Sequence, residues 1–230
     1  MRDLSARKNE QLPLELPHDP ATGRDDLAVG GPLAAAVQLI DRWPHWPSPV
    51  VVLVGPAGSG KSHLAEIWRE RSAAAAILPT ANDDAALTAA GGPVLFEDAD
   101  RHDFDDAALF HVINSVRQHG QTLLMTARTW PGMWDVSLPD LRSRLKAATV
   151  VEIGEPDEAL LAQVIVKLFS DRQLQIEPKL VDYMVQRMER SMEMAQKIVD
   201  RIDFLALARG SRITRPIVQE ALAEPALGED

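Results

Sequence analysis

The 230-residue chain contains no cysteine, which removes disulfides, thiolate zinc sites and thiol nucleophiles together. It has no apolar run long enough to span a bilayer, so no transmembrane helix is expected. Its first residues lack the apolar stretch of a secretion signal, which makes the cytoplasm the expected compartment. Basic residues are also in short supply: 24 Lys and Arg against 34 Asp and Glu leave a net charge of −10. The deficit is shared, with 14 basic against 19 acidic residues in 1–150 and 10 against 15 in 151–230. Neither part is a basic DNA-binding module, and a grip on DNA needs a local patch or a partner. His18, His45, His63, His102, His111 and His119 show no metal-ligand spacing. No internal repeat is present.

What the chain has is apolar content, 46%, ample for a packed core. Residues 1–25 mix charges and prolines without period and read as an extended arm. From Leu33, the apolar positions Leu33, Val37 and Ile40 recur at helical spacing until Trp43-Pro44. Val50 to Val54, VVVLV, is apolar on both faces, as in a parallel strand covered on both sides. Strands are predicted at 94–96 and 122–126, with Leu109, Val112, Ile113 and Val116 on one helical face between them. Such alternation predicts an α/β fold with a parallel sheet. After the apolar segment 149–153 the pattern turns wholly helical, around 157–171, 178–190, 192–209 and 215–223. The expected organisation is therefore an arm, 1–25, an α/β core, 26–153, and a helical lid domain, 154–230.

Gly55-Pro56-Ala57-Gly58-Ser59-Gly60-Lys61-Ser62 satisfies G-x-x-x-x-G-K-[ST] directly after a predicted strand and before a helix, with His63 next. The glycines let backbone N–H groups turn inward around phosphate oxygens, Lys61 adds a mobile positive charge, and the Ser62 hydroxyl can ligate Mg²⁺. A plain strand-to-helix turn has no need of the lysine and serine. Glu97 and Asp98 end the 94–96 strand, where carboxylates lie beside a phosphate loop and can hold Mg²⁺. The alternative makes Glu97, Asp98 and Asp100 part of a solvated or helix-capping acidic loop through Asp103, Asp105 and Asp106. Thr126 either points its hydroxyl at a γ-phosphate or attacking water, or caps the strand end. Arg142 and Arg144, two apart, face different directions on a helix, so only one need serve a given site. Met184, Met188 and Met192, spaced by four, fall on one stripe suited to core packing.

In order and spacing, GPAGSGKSHL, VLFEDAD, LLMTAR and LPDLRSRL resemble the ATPase domain of the bacterial replication initiator DnaA, and more closely the shortened Hda family. The resemblance covers about residues 20–223 and implies a P-loop AAA+ core with a helical lid, without DnaA's basic helix-turn-helix domain. It implies that Lys61 and Ser62 hold the phosphate and Mg²⁺ of ADP or ATP, that Glu97 and Asp98 form the acidic pair, and that Thr126 lies at the sensor strand. Arg144 matches the arginine finger that such a protein presents to DnaA-bound ATP. The N-terminal QLPLEL is similar to the family's clamp-binding hexapeptide, with Gln11, Leu12, Leu14 and Leu16 entering a groove on the sliding clamp, the beta subunit of DNA polymerase III.

Three positions depart from the family. Glu97 replaces the usual magnesium-binding aspartate, Thr126-Ala127-Arg128 replaces Thr-Ser-Asp, and Glu193 stands where the lid arginine is expected, with Arg190 nearby as a substitute. The expectation is a negative regulator of replication initiation that docks on the clamp and stimulates hydrolysis of DnaA-bound ATP, with weak or no turnover of its own. Its partners are the clamp, DnaA and a second copy of itself, with DNA reached only indirectly and no membrane. The alternatives are a self-sufficient AAA+ ATPase that loads another replication protein, and an interaction protein with a vestigial pocket.

Overall fold

The computed structural model describes residues 31–81, 84–101 and 103–225. The arm 1–25, with Gln11, Leu12, Leu14 and Leu16, and His102 lie outside the described residues. The chain divides into two compact units between Leu160 and Leu161, inside a helix. The change of pattern at Gly154 precedes that point.

In the first unit, β1 (Val50–Val54), β2 (Ala75–Ala76), β3 (Val94–Phe96), β4 (Leu123–Ala127) and β5 (Thr149–Glu152) form one five-stranded sheet in the order β2-β3-β4-β1-β5. Every pairing is parallel. The unbroken apolar run of β1 follows from its interior place between β4 and β5, where all five residues are buried. The register sets Val54 opposite Ala127 and Phe96 opposite Met125. The carboxyl ends of β1, β3 and β4 therefore lie side by side, where ligands bind in open α/β sheets.

The sheet is covered by α1 (Ala34–Asp41), α2 (Lys61–Ser72), α3 (Ala85–Gly91), α4 (Asp106–His119) and α5 (Pro139–Lys146). The predicted face of α4 is its buried one, packed with Val52, Phe96 and Met125 in the main core. Trp68 of α2 is fully buried, stacked on Trp46 at 5.2 Å and edge-on to Trp43 at 6.5 Å. That packing fixes the helix whose first turn carries Lys61 and Ser62.

The second unit contains α6 (Glu158–Asp171) from Leu161 onward, α7 (Pro178–Val185), α8 (Met192–Arg209) and α9 (Arg215–Ala223). It has its own core, in which Met184 and Met188 are buried and Met192 and Met194 pack partly against the same cluster. The helix α7 ends at Val185, short of the predicted residue 190, and Ser191 caps the next helix, its hydroxyl accepting from the Met194 N–H at 3.0 Å. Among the described residues, no helix is long and apolar enough to cross a membrane.

Candidate functional site

The loop 55–62 leaves a buried strand and opens a 12-residue helix, and its backbone requires glycine at specific points. Gly58 and Gly60 have φ of 67° and 95°, in the left-handed region that side chains disfavour. A Cβ on Gly55 would stand 2.3 Å from the Ile153 carbonyl oxygen, so the close approach of the loop to β5 excludes any larger residue. The Gly55 N–H donates to the Ala127 carbonyl at 3.1 Å, joining the loop to the end of β4. Because Gly60 is the N-cap of α2, no side chain satisfies the first-turn amides. Those N–H groups remain available to an oxyanion, which the helix dipole also favours.

Lys61 is only 6% exposed, and its ammonium donates to the Gly55 and Pro56 carbonyls at 2.8 and 2.7 Å. Ser59 Oγ lies 3.5 Å away. Burial holds the ammonium below the ordinary lysine value, a shift that Asp98 opposes, Arg128 reinforces and Asp100 opposes. Ser62 is exposed at the mouth of the loop and His63 is half-buried.

The acids after β3 separate into distinct roles. Glu97 is exposed, whereas Asp98 is half-buried at a φ of 46°, and its N–H donates to Thr126 Oγ1 at 2.9 Å. The Thr126 side chain is fully buried and its carbonyl accepts from the Ala99 N–H at 2.8 Å. Thr126 thus ties the end of β4 to the turn carrying Asp98. Asp100 Oδ2 accepts from the Arg128 and Thr129 N–H groups at 2.9 and 2.8 Å and from the Thr129 hydroxyl at 2.9 Å, while its buried Oδ1 has no hydrogen-bond partner. Burial works against the charge on Asp100, but those bonds outweigh it and hold the carboxyl below its ordinary value.

Lysine, first-turn amides and glycines at positive φ together suit a nucleotide polyphosphate. The Ser62 hydroxyl with the carboxylates of Glu97 and Asp98 is a hard-oxygen donor set suited to Mg²⁺. Among the described residues, no group of three His, Asp or Glu could hold a metal, so a divalent ion here would depend on phosphate oxygens as further ligands.

Arg142 and Arg144 lie on α5, whose start is anchored by Asp106 of the acidic loop. Asp106 Oδ2 accepts from the Ser137 N–H at 2.7 Å, the Ser137 hydroxyl at 2.6 Å and the Leu138 N–H at 2.8 Å. Burial opposes the Asp106 charge, but Ser137, Leu138 and Arg142 hold its carboxyl below the ordinary value. Its neighbour Asp105 caps α4 through the Ala108 N–H at 2.7 Å. Arg142 donates to the Val136 carbonyl. Arg144 is half-buried, and its side chain makes no hydrogen bond or ion pair among the described residues. In the helical unit, Glu193 pairs with Lys197 at 2.6 Å along α8.

What sequence reasoning missed near the site is the pair of cross-fold anchors made by Asp100 and Asp106. The only sequence signal for them was a helix start near Asp105-Asp106, and neither reach across the fold, to 128–129 or to 137–138, has a local signature.

Residues 161–222 match the family described as Hda, lid domain. A curated relative from Haemophilus influenzae, described as an uncharacterized protein, is 25% identical over 118 residues, and the chain spans about half of its length, 51%. Domain III of the Thermotoga maritima replication initiation protein DnaA superposes with a TM-score of 0.72 at 13% identity, covering 93% of this chain and 100% of that one. AMPPCP-bound DnaA from Aquifex aeolicus gives 0.63 at 18% identity over 81% of this chain and 67% of that one. The Thermotoga maritima RuvB Holliday junction branch migration motor gives 0.60 at 20% identity over 75% and 60%. The fold is that of AAA+ proteins, and the helical unit matches an Hda lid.

Proposed function

We propose that this Hda-like chain is a negative regulator of replication initiation, which binds the sliding clamp through Gln11, Leu12, Leu14 and Leu16 and stimulates hydrolysis of DnaA-bound ATP through Arg144. The observation that carries this reading is Arg144 itself: a half-buried arginine, unpaired among the described residues, on a short helix whose start is clamped by Asp106. A guanidinium with no partner of its own, on a helix whose start is fixed, is suited to stabilise charge developing on a phosphoryl group in another molecule's site.

The chain's own cradle serves a different end. Residues 55–63 would bind the phosphates of ADP or ATP, with Mg²⁺ held by Ser62, Glu97 and Asp98. Bound nucleotide supplies the anion that neutralises Lys61 and the first-turn amides. The Arg128 backbone is held by Asp100, and its positive charge, felt at Lys61, adds to the attraction for a polyphosphate. Thr126 has its hydroxyl engaged by the Asp98 N–H, so its contribution is to fix the acidic turn.

The test is hydrolysis in a mixture of DnaA-bound ATP, clamp and DNA. Arg144→Ala should keep folding and clamp binding but abolish the stimulation, and full stimulation by the variant would reject the role. Deletion of residues 11–16 should eliminate clamp binding measured by surface plasmon resonance. Equal ATP turnover by the isolated protein and by the complete mixture would instead favour a self-sufficient ATPase.

A further inference from the structure

The exposed apolar side chains of the helical unit gather in one region. Among its described residues two large ones are exposed, Val166 at 51% and Leu207 at 64%. Val166 lines a groove of about 380 Å³ together with Ala162 of α6, Leu174 and Ile176 of the connection to α7, and Val181 of α7; its polar members are Ser170 and Asp182. Leu207 lines an adjoining groove of about 820 Å³, which shares Leu174, Ile176 and Pro178 with the first. Exposed apolar groups that border a groove point to a binding surface, whereas scattered ones do not.

The connection shared by the two grooves has the form of a strand without a partner. Residues 174–177 belong to no helix or strand, yet exposure alternates along them: Leu174 and Ile176 are half-buried, Gln175 and Glu177 exposed. That period of two is a strand's, and Glu177 has extended backbone angles, φ −72° and ψ 137°. The Leu174 N–H donates back to the Phe169 carbonyl at 2.9 Å and the Glu177 carbonyl accepts from the Leu180 N–H at 2.9 Å, so both ends are fixed. Between them the N–H and C=O groups of Gln175 and Ile176 make no hydrogen bond among the described residues. A held, extended segment with open backbone groups beside apolar grooves suits strand addition, in which main-chain bonds give affinity and alternate side chains fill the grooves.

We propose that the occupant is this chain's own segment 11–16, QLPLEL, docked beside residues 174–177 as an added strand. A strand that fills such grooves needs apolar side chains at every second position, and Leu12, Leu14 and Leu16 supply three. Pro13 lacks an N–H, which a strand added at an edge tolerates. The fifteen residues from Leu16 to Gly31 span about 50 Å when extended, which gives the segment a wide reach from the start of the described chain. Charge agrees as well. Among the described residues the charged groups lining the two grooves are three acids, Glu177, Asp182 and Asp203, and one base, Arg212. Residues 1–9, which lead into the segment, carry Arg2, Arg7 and Lys8 against Asp3. Docking covers the same leucines that are proposed above to enter the clamp, so the clamp competes with the chain's own helical unit. Only this masking rests on the clamp reading; the docking is independent of it.

The test uses the full chain and a form lacking residues 11–16, with a fluorescein-labelled peptide of residues 1–18 followed by anisotropy. The peptide should bind the deleted form, and bind the full chain at least about tenfold more weakly because a tethered copy already fills the site. Val166→Glu in the deleted form should weaken peptide binding at least about tenfold, since it sets a charge in the apolar groove. Asp182→Lys, at an exposed position that can hardly disturb folding, should weaken it about threefold. A peptide with Leu12, Leu14 and Leu16 changed to Ala should not bind. In the full chain, Val166→Glu should raise affinity for the clamp about threefold or more by surface plasmon resonance. No binding by the deleted form, equal binding by the full chain, unchanged binding in both variants, or equal binding of a scrambled peptide would overturn the docking. Self-association of the chain that Val166→Glu abolishes would assign the groove to a second copy and likewise overturn it. Unchanged clamp affinity in Val166→Glu would overturn the masking. Failure of the wild-type chain to bind the clamp, with the peptide results as expected, would support the docking and reject only the clamp reading.

Discussion

The α/β unit and the helical unit carry their charge in opposite ways. In the α/β unit the cradle is made of backbone: glycines at positive φ, uncapped first-turn amides, and a buried lysine held by its own loop's carbonyls. In the helical unit the charge is carried by exposed side chains, among them Lys179 on α7, Arg187 just after it and Arg215 on α9. A backbone site demands particular residues at particular spacing and is intolerant of change. A side-chain site can be altered one charge at a time with little effect on the fold.

Substitutions can test that contrast. The largest effect is expected from Trp68→Ala, which empties the fully buried space under α2 and should cost about 3 to 5 kcal/mol in a denaturant titration. Gly55→Ala should follow at about 1 to 3 kcal/mol, because the new methyl must displace the Ile153 carbonyl, and it should impair nucleotide binding as well. Full stability and affinity in that variant would break the claim that the cradle is intolerant.

Asp106→Asn should cost about 1 to 2 kcal/mol at neutral pH by weakening the bonds that start α5. The carboxyl is held below its unfolded value, so its contribution is present above pH about 4 and is lost as pH falls through the folded value. The stability gap between wild type and Asp106→Asn should therefore close in acid, and a gap constant down to pH about 2 would contradict this. The smallest change is expected from Lys179→Glu, within about 0.5 kcal/mol by thermal denaturation, as befits an exposed side chain.

How much of this was legible in the sequence follows the same division. The VVVLV strand, the phosphate loop and the apolar face of α4 could be read directly, because periodicity and glycine placement are local consequences of backbone geometry. The strand β2 was hidden in the alanine run Ala73 to Ala76, since two exposed residues carry no alternation. The short, alanine-rich α3 likewise has too few apolar positions to show a period. At the site, Lys61, Asp98 and Thr126 were legible from motif context. The clamp that Asp100 places on residues 128 and 129, and that of Asp106 on 137 and 138, depend on elements some thirty residues apart meeting in the fold. Nor could the sequence show that Arg187 and Arg215 share one tyrosine ring.

Calorimetric titration of ADP and ATP into the wild-type chain and Lys61→Ala, with thermal denaturation in parallel, tests the central claim most directly. The account predicts saturable binding and a raised melting temperature for wild type, with affinity at least about tenfold weaker in the variant. Absence of both heat and thermal stabilisation in wild type, or equal affinity in the two proteins, would contradict it.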